Sequence, residues 1–174
     1  MGKEQKKDVF VIGGKPGWTP IKYSGIYDLR ALMNSINSYL NSRRYYVIQR
    51  EHTEKVTAAG RDIKIEIEPF RDVSDYVRFS INIIISILRN IDVVVEENGK
   101  RVKRQEGDVD ILVKAKISKN YKSTFPSTKG GELFRKTYEK YITKKKLEGY
   151  EDKLKAEIRE LMNKIKETLH IIRD

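Results

Sequence analysis

Two runs of alternating apolar residues constrain this chain more than any other feature. Val77, Phe79, Ile81, Ile83, Ile85 and Ile87 occupy every second position, and Val109, Ile111, Val113, Ala115 and Ile117 repeat the pattern further on. A period of two places each set on one face of a strand. Between them, residues 91–96 and 100–104 flank Asn98-Gly99, a dipeptide that supplies the two positive φ angles of a tight type I′ hairpin turn. Gly107 closes a further turn before a last strand over 108–118. Burying these eleven alternating side chains gives on the order of 20 kcal/mol of gross stabilisation. That is well short of the conformational entropy of the whole chain, so other apolar faces must join the core.

Those faces are found on either side. Residues 1–7 form a charged tail, and 8–12 (DVFVI) suit a short strand. The Gly- and Pro-rich run 13–20 (GGKPGWTP) is expected to be a loop, with Trp18 packed on the sheet edge. Its Gly-Gly-Lys is not a phosphate loop, because Pro16 follows Lys15 where a Ser or Thr should open a helix. A helix is expected over 25–41 with Ser24 as N-cap, because Leu29, Leu32, Met33, Ile36 and Leu40 fall on one face. Strands follow over 43–56 and 62–70, joined by a turn at 58–61, with Ile63, Ile65 and Ile67 inward and Pro69 at the end. A polar connector, 119–131, leads to a helical pattern over 132–172. Phe134, Tyr138, Tyr141 and Ile142 make its first apolar stripe. Leu147, Tyr150, Leu154, Ile158, Leu161, Ile165, Leu169 and Ile172 make its second, at spacings of three and four. Gly149 lies in between, so the segment is either one long helix with a weak point or two helices hinged near 149. The expected fold is therefore a single α+β domain. An antiparallel meandering sheet of about six strands (within 8–128) packs on an N-terminal helix and a long C-terminal helical segment (129–174).

This order of elements resembles the helix-grip architecture of the START and Bet v 1-like superfamily, in which a curved sheet wraps the last helix. The resemblance implies a possible cavity between sheet and C-terminal helix, suited to an apolar small molecule. The runs YDLRALMNSINSYLNSRRYYV, DYVRFSI, GDVDILVKAKI and FRKTYEKYITKKKLEGYEDKL are also similar to a group of archaeal proteins with no assigned activity. Gly149 departs from the more continuous helix of that group.

Several chemistries find no support. There is no cysteine, which removes disulfides, thiolate nucleophiles and Cys-based metal sites. His52 and His170 are the only histidines. His52 shares its alternation with Arg50 and Glu54, the pattern of a solvated strand face, and His170 suits the last turn of a helix. The carboxylate pairs Glu66/Glu68 and Asp108/Asp110 alternate with apolar residues, which exposure alone explains. No catalytic, metal or cofactor residue is assigned, and the chain is read as non-enzymatic. With no signal peptide pattern or apolar run long enough to span a bilayer, it is expected to be soluble and cytoplasmic.

What remains is charge. The formal net charge is +11, with 35% of residues charged. Cations neutralise phosphates and tyrosines stack on bases, so the basic stretches are the candidate contacts with an anionic partner, nucleic acid or an acidic protein. They are Arg43 and Arg44, the hairpin residues Lys100, Arg101, Lys103 and Arg104, the strand residues Lys114, Lys116 and Lys119, and the run Lys144, Lys145 and Lys146. Leu154, Ile158, Leu161, Ile165 and Leu169 form a heptad-like seam that could serve self-association. The expectation is an interaction or assembly module with a basic surface; the alternative is the helix-grip carrier.

Overall fold

The computed structural model describes residues 9–12, 19–119, 122, 128–141 and 144–170. The tail 1–7, Trp18, most of the 119–131 connector, Ile142 and Ile172 lie outside the described residues. The elements are β1 (Val9–Ile12), β2 (Thr19–Tyr27), α1 (Leu29–Ser42), β3 (Gln49–Thr57), β4 (Gly60–Ile67), β5 (Phe70–Asp72), β6 (Val77–Glu97), β7 (Lys100–Lys119), α2 (Lys129–Tyr141) and α3 (Lys144–Thr168). The strands make one antiparallel sheet in an α+β fold. β1 and β2 follow one another along the outer edge of β7, then come β6, β4 with β5, and β3 at the far edge.

The long hairpin β6–β7 is the spine. Its tip has φ of 52° at Asn98 and 75° at Gly99, the type I′ signs that the sequence called for. All eleven alternating residues are buried. Both strands run on through the positions where the sequence suggested separate pieces. The apparent break is a β-bulge: the register skips from Leu88↔Asp108 to Ile91↔Glu106, so β6 carries one extra residue, with Arg89 at φ 55°. Two glycines make room for it. A Cβ on Gly60 would stand 2.8 Å from the Asn90 carbonyl oxygen, and one on Gly107 2.8 Å from that of Leu88.

The bulge also reverses the faces of the hairpin. Ile91, Val93 and Val95 continue the odd-numbered alternation, yet past the extra residue they point away from the core, and Ile91 is exposed.

β2 is the strand that the sequence reading missed. Its TPIKYSGIY contains a proline and a glycine that argue for a loop, but the strand lies on an edge, where a proline is tolerated. As a result α1 begins at Leu29 and not at 25. Its N-cap is Asp28, whose carboxylate accepts the Ala31 amide at 2.9 Å. Ser24, the expected cap, instead donates its hydroxyl to Asp108 at 2.7 Å. α1 then carries the chain from one edge of the sheet to the other. Its 14 residues reach about 21 Å at ~1.5 Å each, which suits a crossing of five strand columns at ~4.8 Å spacing.

The C-terminal segment is two helices. α2 ends at Tyr141 and α3 begins at Lys144; α3 runs unbroken through 149, where one of the two alternatives put a hinge. Gly149 lies exposed inside α3. A helical glycine costs only about 1 kcal/mol, and the burial that follows it easily offsets that. Leu154, Ile158, Leu161, Ile165 and Leu169 are at most 2% exposed and belong to one hydrophobic core cluster with the sheet and α1. This corrects the reading of them as an association seam: the stripe is consumed within the chain.

α3 is also fixed by a buried ion pair. Glu157, 4% exposed, receives Arg71 at 2.8 and 3.0 Å and the Tyr45 hydroxyl at 2.7 Å. The Arg71 guanidinium stacks over the Tyr45 ring at 4.7 Å. Tyr39 of α1 donates to the Glu157 carbonyl at 2.8 Å and to Glu160 at 3.0 Å, and Arg43 pairs with Glu160.

Candidate ligand-binding recess

The bulge and the N-terminal end of α1 together shape the most distinctive polar region of the molecule. The bulge turns Asn90 toward the helix-bearing face, where it is 2% exposed. Its amide oxygen accepts the Tyr27 hydroxyl at 2.6 Å. Burial pushes the Tyr27 hydroxyl far above its ordinary pKa, with Arg61 opposing and Asp92 adding to the rise. Tyr27 therefore stays a donor, and Asn90 is a satisfied buried polar group.

The start of α1 is fastened to the base of the hairpin. Arg104 pairs with Asp28 at 3.2 Å, and the Leu29 amide donates to the Gln105 side-chain oxygen at 3.1 Å. The opposite wall comes from β3 and β4. His52 is in register with Ile65 and Glu54 with Ile63, so both polar side chains lie on the helix side of the sheet. The His52 Nε2 is 3.3 Å from Glu54 Oε1, and Arg61 reaches Asp92 at 3.1 Å and Glu54 at 3.9 Å.

Between these walls is a recess of about 730 Å³. Leu29, Met33, Ile63 and Ile65 give it an apolar lining. Its polar rim holds Arg30, Arg61, Lys103 and Arg104 against Asp28 and Glu54, with His52 between. Cations outnumber carboxylates on this rim.

The shared face expected for Arg50, His52 and Glu54 is not observed. A register shift between Gln49 and Glu51 sends Arg50 to the other side of the sheet, where it pairs with Glu68 at 2.6 Å. That hydrogen bond, helped by Asn82, holds the Glu68 carboxyl below its ordinary pKa. The two carboxylate pairs are also accounted for. Asn82 donates to Glu66 at 2.8 Å and to Glu68 at 3.2 Å. Ser24 and Arg89 hold Asp108 below its ordinary pKa, and Asp110 lies 3.7 Å from Lys22. Among the described residues no cluster of three or more His, Asp or Glu side chains could hold a metal ion.

The basic positions singled out from the sequence are spread out. Arg43 caps α1 and is paired with Glu160, while Arg44 follows at φ 60° and is exposed. Lys100 and Arg101 face Glu97 and Glu96 across the hairpin. Arg104 is held by Asp28 and Glu97, so the hairpin carries its own counter-charges. Lys103 is exposed on the rim of the recess. Lys114 and Lys116 line a groove of about 600 Å³ on the opposite face of the sheet, together with Arg50, Arg78, Glu66 and Glu68. Lys119 ends β7, opposite Val77. At about 3.3 Å per residue, Lys100 and Lys119 are on the order of 60 Å apart along one strand. Lys146 is exposed in the first turn of α3; the side chains of Lys144 and Lys145 lie outside the described set. Among the described residues, no helix is long and apolar enough to cross a membrane. No family model matches the chain, and no curated protein matches its sequence.

Proposed function

We propose that this protein is a non-catalytic binding module that holds a small amphipathic anion in the recess between α1 and the β3–β4 side of the sheet. The observation that carries this reading is the recess itself. It has about 730 Å³, within the ~300–1,000 Å³ usual for small-molecule sites, with an apolar lining and a few convergent polar groups. Arg61 and Arg104 are already paired with carboxylates, so the charge that selects for a negative headgroup is that of Arg30 and Lys103 on the rim, and Leu29 and Met33 select for an apolar body behind it. The binding wall is α1; the C-terminal helix, which the helix-grip comparison favoured, is packed solid against the sheet. His52 and the adjacent Glu54 supply hydrogen bonds in this account and no proton transfer.

The test is a calorimetric titration with decanoate, decyl phosphate and decanol. Saturable one-to-one binding is expected for the anions, with decanol at least about tenfold weaker. Met33→Trp fills the recess and should abolish binding with the fold intact. Equal binding of decanol, or binding indifferent to Met33→Trp, defeats the reading.

The broader reading, a basic module for nucleic acid or an acidic protein, draws less from the geometry, since Arg43 and Arg104 already have carboxylate partners. Its support is the exposed cations Arg44, Lys100, Arg101, Lys103, Lys116 and Lys146.

A further inference from the structure

We propose that α2 is a docking helix for an anionic lipid surface. The helix is well started: the Thr128 hydroxyl accepts the Gly131 amide at 3.2 Å, as an N-cap does. Its attachment to the body fixes its rotation. The ring of Tyr138 meets that of Tyr76 edge-on at 5.4 Å, and Gly131 is buried. Leu133 and Phe134 are thereby turned outward, 67% and 71% exposed. Phe134 belongs to the first apolar stripe of the sequence pattern, and Leu133 lies outside it.

Beside them runs a stripe of exposed lysines, Lys129, Lys136 and Lys140. Spacings of seven and four bring the three within an arc of about 40° on a helix of ~3.6 residues per turn. Residues 120–149 hold eight Lys/Arg against three Asp/Glu, a positive excess that favours an anionic occupant. An apolar face of Leu and Phe bordered by lysines, with a tyrosine at its margin, is the pattern of a helix lying in the headgroup region of a bilayer. Nucleic acid offers nothing to Leu133. The tip-out geometry of two adjacent side chains suits shallow insertion better than the longer row of anchors that a protein groove requires.

This inference goes beyond the recess and does not rest on it. Tyr76 precedes β6, and Asn90 lies on the order of 40 Å further along that strand at ~3.3 Å per residue.

The test is co-sedimentation of the full chain with phosphatidylcholine vesicles containing or lacking phosphatidylglycerol, with random-sequence RNA as a second arm. Binding to the anionic vesicles only, weakened by salt, is expected. Leu133→Ser/Phe134→Ser and, separately, Lys136→Glu/Lys140→Glu should each weaken it by about tenfold or more. Both pairs are exposed, so thermal unfolding should match the parent. Three results overturn the proposal: no sedimentation with anionic vesicles, sedimentation unaffected by the Leu133/Phe134 change, or binding to RNA and not to vesicles.

Discussion

α1 and α3 lie on the same face of one sheet and close it in opposite ways. Along α3, Leu154, Ile158, Leu161, Ile165 and Leu169 are at most 2% exposed, and Glu157 is clamped by Arg71 and Tyr45. Along α1, Leu32, Ile36, Tyr39 and Leu40 match this and are buried. Leu29 and Met33 do not: they are only half-buried, and beside them the recess opens. The difference follows from what each helix faces. α3 belongs to the same buried cluster as the regular part of β6 and β7, where alternation is uninterrupted. The start of α1 meets the bulge, an asparagine, and an edge strand whose helix-side residues are His52 and Glu54 instead of isoleucines. A sheet face stays apolar only as far as its register and composition allow, and a pocket forms where they change.

The largest expected effect of breaking this contrast is at the clamp. Arg71→Met strands the Glu157 carboxylate in the core, so urea unfolding should show a loss of about 3–5 kcal/mol. A double change with Glu157→Gln should recover much of it. Next comes packing. Leu161→Ala should cost about 2–5 kcal/mol, against less than about 1 kcal/mol for Met33→Ala beside the recess. Equal costs would remove the distinction between the two helices. Tyr27→Phe leaves the buried Asn90 oxygen without its donor and should cost about 1–3 kcal/mol in the same assay.

The smallest effect is on pH dependence. Asp108 and Glu68 have depressed pKa values through Ser24 and Arg89, and through Arg50 and Asn82. Their contribution is therefore fully present above the unfolded carboxylate range of about 4 and is lost as pH falls through the lower folded values. Asp108→Asn and Glu68→Gln should make the acid side of the stability profile shallower, by little, because both sites are open to solvent.

Much of the scaffold was legible in the alternation of β6 and β7, in Asn98-Gly99 and in the three- and four-residue spacings of α1 and α3, because burial on one face imposes those periods. The missing parts share a physical cause: local signals that tertiary context overrode. Pro20 looked like part of a loop and Gly25 like the start of a helix, but both occupy an edge strand. Ile91, Val93 and Val95 kept the odd-numbered period, so nothing in the pattern announced the bulge that reverses them. Gly149 looked like a weak point or a hinge, yet its small helical cost is outweighed by the buried residues after it. The recess was the least visible feature. Its wall needs His52 and Glu54 to be opposite Ile65 and Ile63, a register fact, and its roof needs α1 to start at Leu29. The stripe Leu154–Leu169 showed the opposite limit: its spacing was read correctly, but spacing alone does not distinguish a core helix from an association seam.

A two-dimensional amide NMR titration of the intact protein with decanoate tests the central claim most directly. The account predicts saturable shifts at 29–33, 63–65, Asn90 and 103–105, with the amides of 154–169 unmoved. Shifts centred on 154–169, or none at all at saturating ligand, would contradict it.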